Sequence, residues 1–331
     1  MSACILAPVL VLAGTGLYLQ HKLSSQIDRI DNAFAGLQNR PVKPVVGDAS
    51  GAINILLMGT DRRSDEQTTG KNATATEWIA GAQRSDTMMV LHIDGDRRGA
   101  SVISIPRDSW VVIPGHGVNK INAAFSFGGS SLAVQTVENL TDLRIDHLAV
   151  IDWEGFKELT DALGGVTLDI PETVYDNARQ ITWTAGIHKL NGKEALNYVG
   201  ERYGLPGGDF DRIHRQQYFL RTLLDDTLHQ EFSTEPTQVY KVLGTLTNNL
   251  SVDSGWSVGD MRSLVISLRN LRSANIQYMT VPVNGTGLEN QQSVVYLNSL
   301  GGRELWSSVR DDGVAAWLAA NPARGVPAAV S

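Results

Sequence analysis

A single cysteine, Cys4, is present in the 331-residue chain, so no intrachain disulfide and no cysteine-based zinc centre can form. An excess of basic charge is missing too. Against 28 Lys and Arg stand 35 Asp and Glu, a net charge of −7, which argues against a general nucleic-acid-binding surface. A polyanion would have to sit in a local basic pocket. His92, His116, His147 and His188 are scattered without metal-ligand spacing, which disfavours a zinc site, and His214 reads as a solvated helix position. There is no Gly-x-Ser-x-Gly elbow for serine hydrolysis and no Walker-type phosphate loop. Apolar residues are not scarce: at 42% they suffice for one large domain or two small ones.

Uncharged, mostly apolar sequence runs from Ala3 to Leu19, the low end for a membrane span. No small-x-small cleavage site follows it, so residues 1–20 read as an uncleaved anchor, with a cleaved signal or a buried helix as alternatives. Lys22 follows the run, and no basic cluster precedes it, so charge alone argues for the reverse topology. Residues 21–51 read as stalk and linker: Leu23, Ile27, Ile30 and Phe34 have helical spacing, and Pro41 and Pro44 mark a loop. The folded domain is expected over 52–318 and a frayed tail over 319–331.

Within that domain, strand-like runs (Ile53–Met58, Thr87–Ile93, Ala100–Ile105, His147–Ile151, Val166–Ile170, Ile276–Val281) alternate with helical ones. The helical runs are Lys120–Phe127, Ser131–Leu140, Trp153–Leu163, Asn191–Tyr198, Pro236–Leu250, Val258–Leu271 and Arg303–Val309. Such alternation predicts an α/β layered fold. The helix beginning near Asp209, an N-cap candidate, carries Arg212, Arg215 and Gln216 on one patch of its first turns. Arginines are unfavourable at the positive end of a helix unless something negative faces them, and a phosphate would serve.

Charged residues also stand at or beside the strand ends: Asp61 and Arg62, Arg84 and Asp86, Arg107, and Lys120. Strand ends along one edge of an α/β sheet are where ligands gather. Several arginines, a lysine and a pair of carboxylates suit phosphate plus Mg²⁺ or Mn²⁺, the ion taking one or two carboxylates and the arginines the phosphate oxygens. Taken singly, each motif reads more readily as a surface ion pair or a turn acid than as part of a site.

The ordered series NILLMGTDRR, RSDTMMVLHI, VISIPRD, NKINAAFSFGG, ALGGVTLDIP, LNGKEALNYVGER and GGDFDRIHRQQ resembles the LytR-CpsA-Psr family of bacterial cell-envelope enzymes, most densely over 84–226. The resemblance implies an α-β-α domain around a mixed sheet with an apolar lipid tunnel. It also implies a single-pass anchor holding the domain outside the cell membrane of a Gram-positive or actinobacterial cell. The implied reaction moves a glycopolymer from a polyprenyl-pyrophosphate carrier onto peptidoglycan through a phosphodiester, assisted by Mg²⁺. It would make Asp61 and Asp86 the metal carboxylates. Arg62, Arg84, Arg107, Lys120, Arg202, Arg212, Arg215 and Gln216 would bind the pyrophosphate, with Arg107, Arg202 and Arg212 also in the catalytic set. Asp209 would organise the arginines, act as a base, or cap its helix. Many members carry Arg-x-Arg where this chain has Gly200-Glu201-Arg202, so one phosphate contact is lost or comes from Arg63 or Arg215. A lipid-pyrophosphate pyrophosphatase and a non-catalytic, glycan-binding regulator are the competing readings.

Overall fold

A computed structural model of the chain describes residues 25–45, 47–62, 67–75, 78–81, 83–229 and 236–326. The run from Ala3 to Leu19 lies outside them. No helix among the described residues is long and apolar enough to cross a membrane.

The centre is a seven-stranded mixed sheet. Its strands are β1 (Asp28–Ile30), β2 (Ile53–Arg62), β3 (Gln83–Ile93), β4 (Ala100–Ser104), β7 (His147–Asp152), β12 (Ser251–Asp253) and β13 (Ile276–Thr280), in the order β1-β12-β7-β2-β3-β4-β13. Strands β2 and β3 pair antiparallel, as do β3 and β4, while β2 and β7 run parallel. The ends of β2, β4 and β7 and the start of β3 therefore share one sheet edge.

The strands are apolar on both faces, as expected of a sheet covered twice. In β2, Leu56 and Met58 join one buried cluster, which helices α1 (Asn122–Thr141) and α7 (Ser299–Arg310) complete through Phe125, Val134 and Trp306. Ile55 and Leu57, alternating with them, face the second cluster, with Val102, Ala149, Leu243 and Met261. Leu220 and Leu224 of α4 (Asp209–His229), α5 (Pro236–Asn249) and α6 (Val258–Ser267) cover that side. A third cluster joins the antiparallel pair β8 (Val166–Ile170) and β11 (Gly186–Leu190) to α3 (Gly192–Gly200) and α4 through Leu168, Tyr198 and Phe219. The result is a layered α/β fold with a central mixed sheet.

Several elements depart from their sequence patterns. Strand β2 runs on to Arg62, beyond the Met58 end the apolar run suggested. From residue 25, where the described segment begins, the helical spacing expected over 22–34 gives way to β1, because pairing with β12 buries Ile27 and Ile30 at the sheet rim. The Pro-bearing segment after it is pinned: Arg40 meets Glu138 at 2.7 Å and Lys43 meets Asp146 at 2.7 Å. The two helical runs around Gly128-Gly129 form one kinked element, since Gly129 adopts φ 62°, and a Cβ there would press on Trp78. After α6 the chain tightens into a 3₁₀ turn, Leu268–Asn270, in place of continued helix.

Candidate functional site

Asp61 and Asp86 are 25 positions apart in sequence, yet the β2–β3 ladder brings them together. Asp61 pairs with Arg84 and Thr60 with Ser85, and a register shift between Gly59 and Thr60 leaves Asp86 at the irregularity. No fold-back of the intervening loop is needed. A turn after β4 adds Arg107, and the end of β6 (Gly117–Lys120) adds Lys120. Helix α4 points its first turns at the same edge.

Arg107 is the hub. Its Nη1 lies 2.5 Å from Asp86 Oδ1, its Nη2 3.1 Å from Asp209 Oδ1, and its Nε 3.9 Å from Asp108 Oδ2. Arg212 Nη2 reaches Asp209 Oδ1 at 2.8 Å and donates to the Asp86 carbonyl at 3.3 Å. Lys120 Nζ meets Asp108 Oδ1 at 3.1 Å. Burial pulls the Arg107 guanidinium down, but Asp86 and Asp209 outweigh it and hold its pKa above the ordinary value. Arg212 is more deeply buried, and there burial wins: its pKa falls despite Asp209.

These groups stand at the polar end of a cavity of about 1500 Å³. Asp61, Arg84, Asp86, Arg107, Lys120, Arg202, Arg212 and Gln216 all line it. Beyond them the lining is apolar, from the sheet (Leu57, Met89) to the covering helices (Leu224, Leu246, Met261, Leu264). Acid and base residues crowd the mouth, and hydrocarbon lines the interior.

Other residues fall differently. Arg215 does not line the cavity. It is fully buried, its guanidinium 4.3 Å above the Tyr198 ring and its Nη1 donating to the Tyr198 carbonyl at 3.5 Å, which ties α4 to α3. Its patch-mate Gln216 faces the cavity and donates to the Val199 carbonyl at 3.5 Å. Arg202 stacks on exposed Tyr203, 4.7 Å from the ring centroid. Asp209 is the first residue of α4 and turns its carboxylate to the arginines; the loop N–H of Gly207 donates to Asp211 instead, at 2.6 Å. His214 is half-buried, and burial depresses its pKa. The Arg62 side chain and all of Arg63 lie outside what the structure describes.

Sequence reasoning missed Arg179. Its Nη1 pairs with Asp176 at 2.9 Å and Glu201 at 3.5 Å, its Nη2 donates to the Gly200 carbonyl at 3.2 Å, and the residue lines the cavity. A Cβ on Gly200 would come within 2.9 Å of that Nη2. The bare glycine was the available signal: space there lets a cation from another segment approach.

Comparison with known sequences gives this arrangement a lineage. A profile of the LytR_cpsA_psr family matches residues 17–306. The chain belongs to the LytR-CpsA-Psr family. It is similar to the "Cell wall biosynthesis protein LcpA" of Corynebacterium glutamicum, 31% identical over 88% of this chain and 61% of that protein. It is also similar to the "Polyisoprenyl-teichoic acid--peptidoglycan teichoic acid transferase TagU" of Bacillus subtilis, 29% identical over 75% of this chain and 77% of TagU. Among solved structures, B. subtilis TagV superposes with a TM-score of 0.64 at 25% identity, covering 79% of this chain and 97% of TagV. The chain spans 61% of the length of LcpA.

Proposed function

We propose that this LytR-CpsA-Psr protein is a phosphotransferase that moves a glycopolymer from a polyprenyl-pyrophosphate carrier onto peptidoglycan. The observation that carries the reading is the arginine–aspartate cluster closing the polar end of a largely apolar cavity. A diphosphate joined to a long hydrocarbon tail has the same division of chemistry. In this reading the tail lies between the sheet and α4–α6, and the diphosphate sits among Arg107, Arg202 and Arg212. The names of LcpA and TagU support the envelope setting. The run from Ala3 to Leu19 would anchor the domain outside the membrane.

Phosphoryl transfer asks mainly for positioning and for charge that meets the spreading negative charge of the transition state. Arg107 and Arg212 stay protonated and present guanidinium forks suited to phosphate oxygens. Asp209 spaces them by pairing with both, so the proposal gives it an organising role. The acceptor hydroxyl attacks the glycan-side phosphorus, the bond to the bridging oxygen breaks, and polyprenyl phosphate leaves, taking up the proton that the hydroxyl gives up.

Asp61 and Asp86 line the same end of the cavity, and a donor set of carboxylate oxygens suits Mg²⁺, so the residues fit the ion. Asp86 would share its carboxylate between the ion and Arg107. When bound, the ion supplies further neutralisation of phosphate charge. Arg179 takes the place of the arginine missing at Gly200.

The test is reconstitution of the full chain in detergent with lipid-linked glycopolymer and peptidoglycan fragments. Covalent glycopolymer–peptidoglycan product supports the proposal. Release of free glycopolymer phosphate at the same rate with or without acceptor would instead make the protein a pyrophosphatase.

A further inference from the structure

The sheet edge opposite the arginine cluster holds a second polar group. His92, at the far end of β3 and only 1% exposed, points its Nε2 between two carboxylates, 2.9 Å from Asp312 Oδ1 and 3.5 Å from Asp94 Oδ1. One ligating atom from each of the three residues lies within 4.8 Å of the others. His92 is six residues along β3 from Asp86, about 20 Å at the strand rise, so this group is separate from the proposed reaction centre.

The other ring nitrogen decides what Nε2 must do. Nδ1 is 2.8 Å from Asn54 Oδ1, and Asn54 Nδ2 donates to the Arg144 carbonyl at 2.9 Å. A carbonyl only accepts, so the amide orientation is fixed and Nδ1 must carry the hydrogen. In a neutral ring, Nε2 is then a lone pair aimed at two further acceptors. Such a contact is repulsive unless positive charge stands between them.

Asp312 is held for that task, whereas burial pushes the Asp94 pKa up. The Gly95 N–H donates to Asp312 Oδ2 at 2.9 Å and turns Oδ1 toward the ring. Burial would raise the Asp312 pKa, but His92 and this N–H keep it below the ordinary value. A Cβ at Gly99 would collide with the Asp94 carboxylate, so the glycine leaves it room. The nearby cation, Arg97, donates its Nη1 to the Asp94 backbone carbonyl at 2.8 Å.

We propose that His92, Asp94 and Asp312 bind a divalent transition-metal ion of the zinc class, through Nε2 and one oxygen of each aspartate. One nitrogen and two carboxylate oxygens suit zinc with water completing the shell. Donation from the second ring nitrogen to a fixed oxygen is how metal-bound histidines are oriented. Asp312 sits between α7 and α8 (Val314–Ala320), so the ion would tie the C-terminal helices to the rim of the sheet. The rival occupant of the gap is a proton on Nε2.

The full chain, purified in detergent and stripped with chelator, is titrated with Zn²⁺ near neutral pH alongside Asp94→Asn, Asp312→Asn and His92→Gln. Asp61→Asn serves to separate any binding at the arginine cluster. The expected result is one zinc per chain in the wild type and in Asp61→Asn, accompanied by a rise in Tm. Each aspartate variant should bind about ten- to hundredfold more weakly, and His92→Gln should show no such site. The Asp94→Asn variant, altered at a partly exposed residue, keeps the test valid if His92→Gln fails to fold. Absence of zinc uptake by the wild type, or equal affinity in wild type and Asp94→Asn, would overturn the proposal in favour of the proton.

Discussion

Truncating Arg107 to alanine separates its structural work from its proposed chemical work. The guanidinium faces Asp86, Asp209 and Asp108, and the Arg107 side chain is 11% exposed against 26% for Asp86 and 24% for Asp209. Breaking a fully buried pair costs about 3–5 kcal/mol and an exposed one under about 1 kcal/mol. Partners a quarter exposed place this loss between those limits, at about 1–3 kcal/mol, since Arg212 still holds Asp209 at 2.8 Å. The variant should stay folded and melt several degrees lower. Losing a donor aimed at developing charge costs about 10²–10³ in rate, or about 2.7–4 kcal/mol of transition-state stabilisation. Transfer to peptidoglycan should therefore fall by that factor at saturating lipid donor. Arg107→Lys keeps the charge but cannot span both carboxylates, and should fall between. Paired measurements of Tm and of labelled glycopolymer incorporation decide the matter. Folded Arg107→Ala transferring within about threefold of wild type would refute the placement of Arg107 at the reacting phosphate.

Four further outcomes are expected. Asp61→Asn should raise the Mg²⁺ concentration needed for half-maximal transfer, measured by magnesium titration; an unchanged midpoint counts against a metal role. Leu264→Trp, in the apolar part of the cavity, should exclude long-chain polyprenyl donors while sparing short-chain analogues, read as KM against chain length. Arg179→Ala should weaken donor binding and also lower Tm, because it leaves the buried Asp176 and Glu201 carboxylates without their cation; wild-type donor affinity in the folded variant would refute the phosphate contact. Burial depresses the His214 pKa, so its stabilising effect is complete above its ordinary 6.5 and is lost as pH falls through the lower folded value. Thermal melts of His214→Gln should therefore lose less stability than wild type on acidification.

Much of this site was legible in sequence because its residues sit at the ends of apolar runs, and the strand ends share an edge. The seven ordered motifs carried the family assignment, and the profile match agrees with it. What could not be read was direction. Helical spacing groups Arg212, Arg215 and Gln216, but only the arrival of Tyr198 from α3 shows that Arg215 turns into the core. The meeting of Asp61 with Asp86 depends on strand register, which spacing does not encode. Residues 22–34 have a helix-like period, yet a three-residue strand forms because an edge partner, β12, waits more than 200 positions later. Arg179 was hidden for the same reason: its relation to Gly200 exists only in three dimensions. The scattered histidines likewise gave no hint that His92 would face Asp312.

The most direct test of the central claim is a crystal structure of the protein with a polyprenyl diphosphate bound. The account predicts phosphate oxygens within hydrogen-bonding reach of Arg107, Arg202 and Arg212, and the hydrocarbon chain between the sheet and α4–α6. A diphosphate seated away from those arginines, or a tail lying outside that cavity, would contradict it.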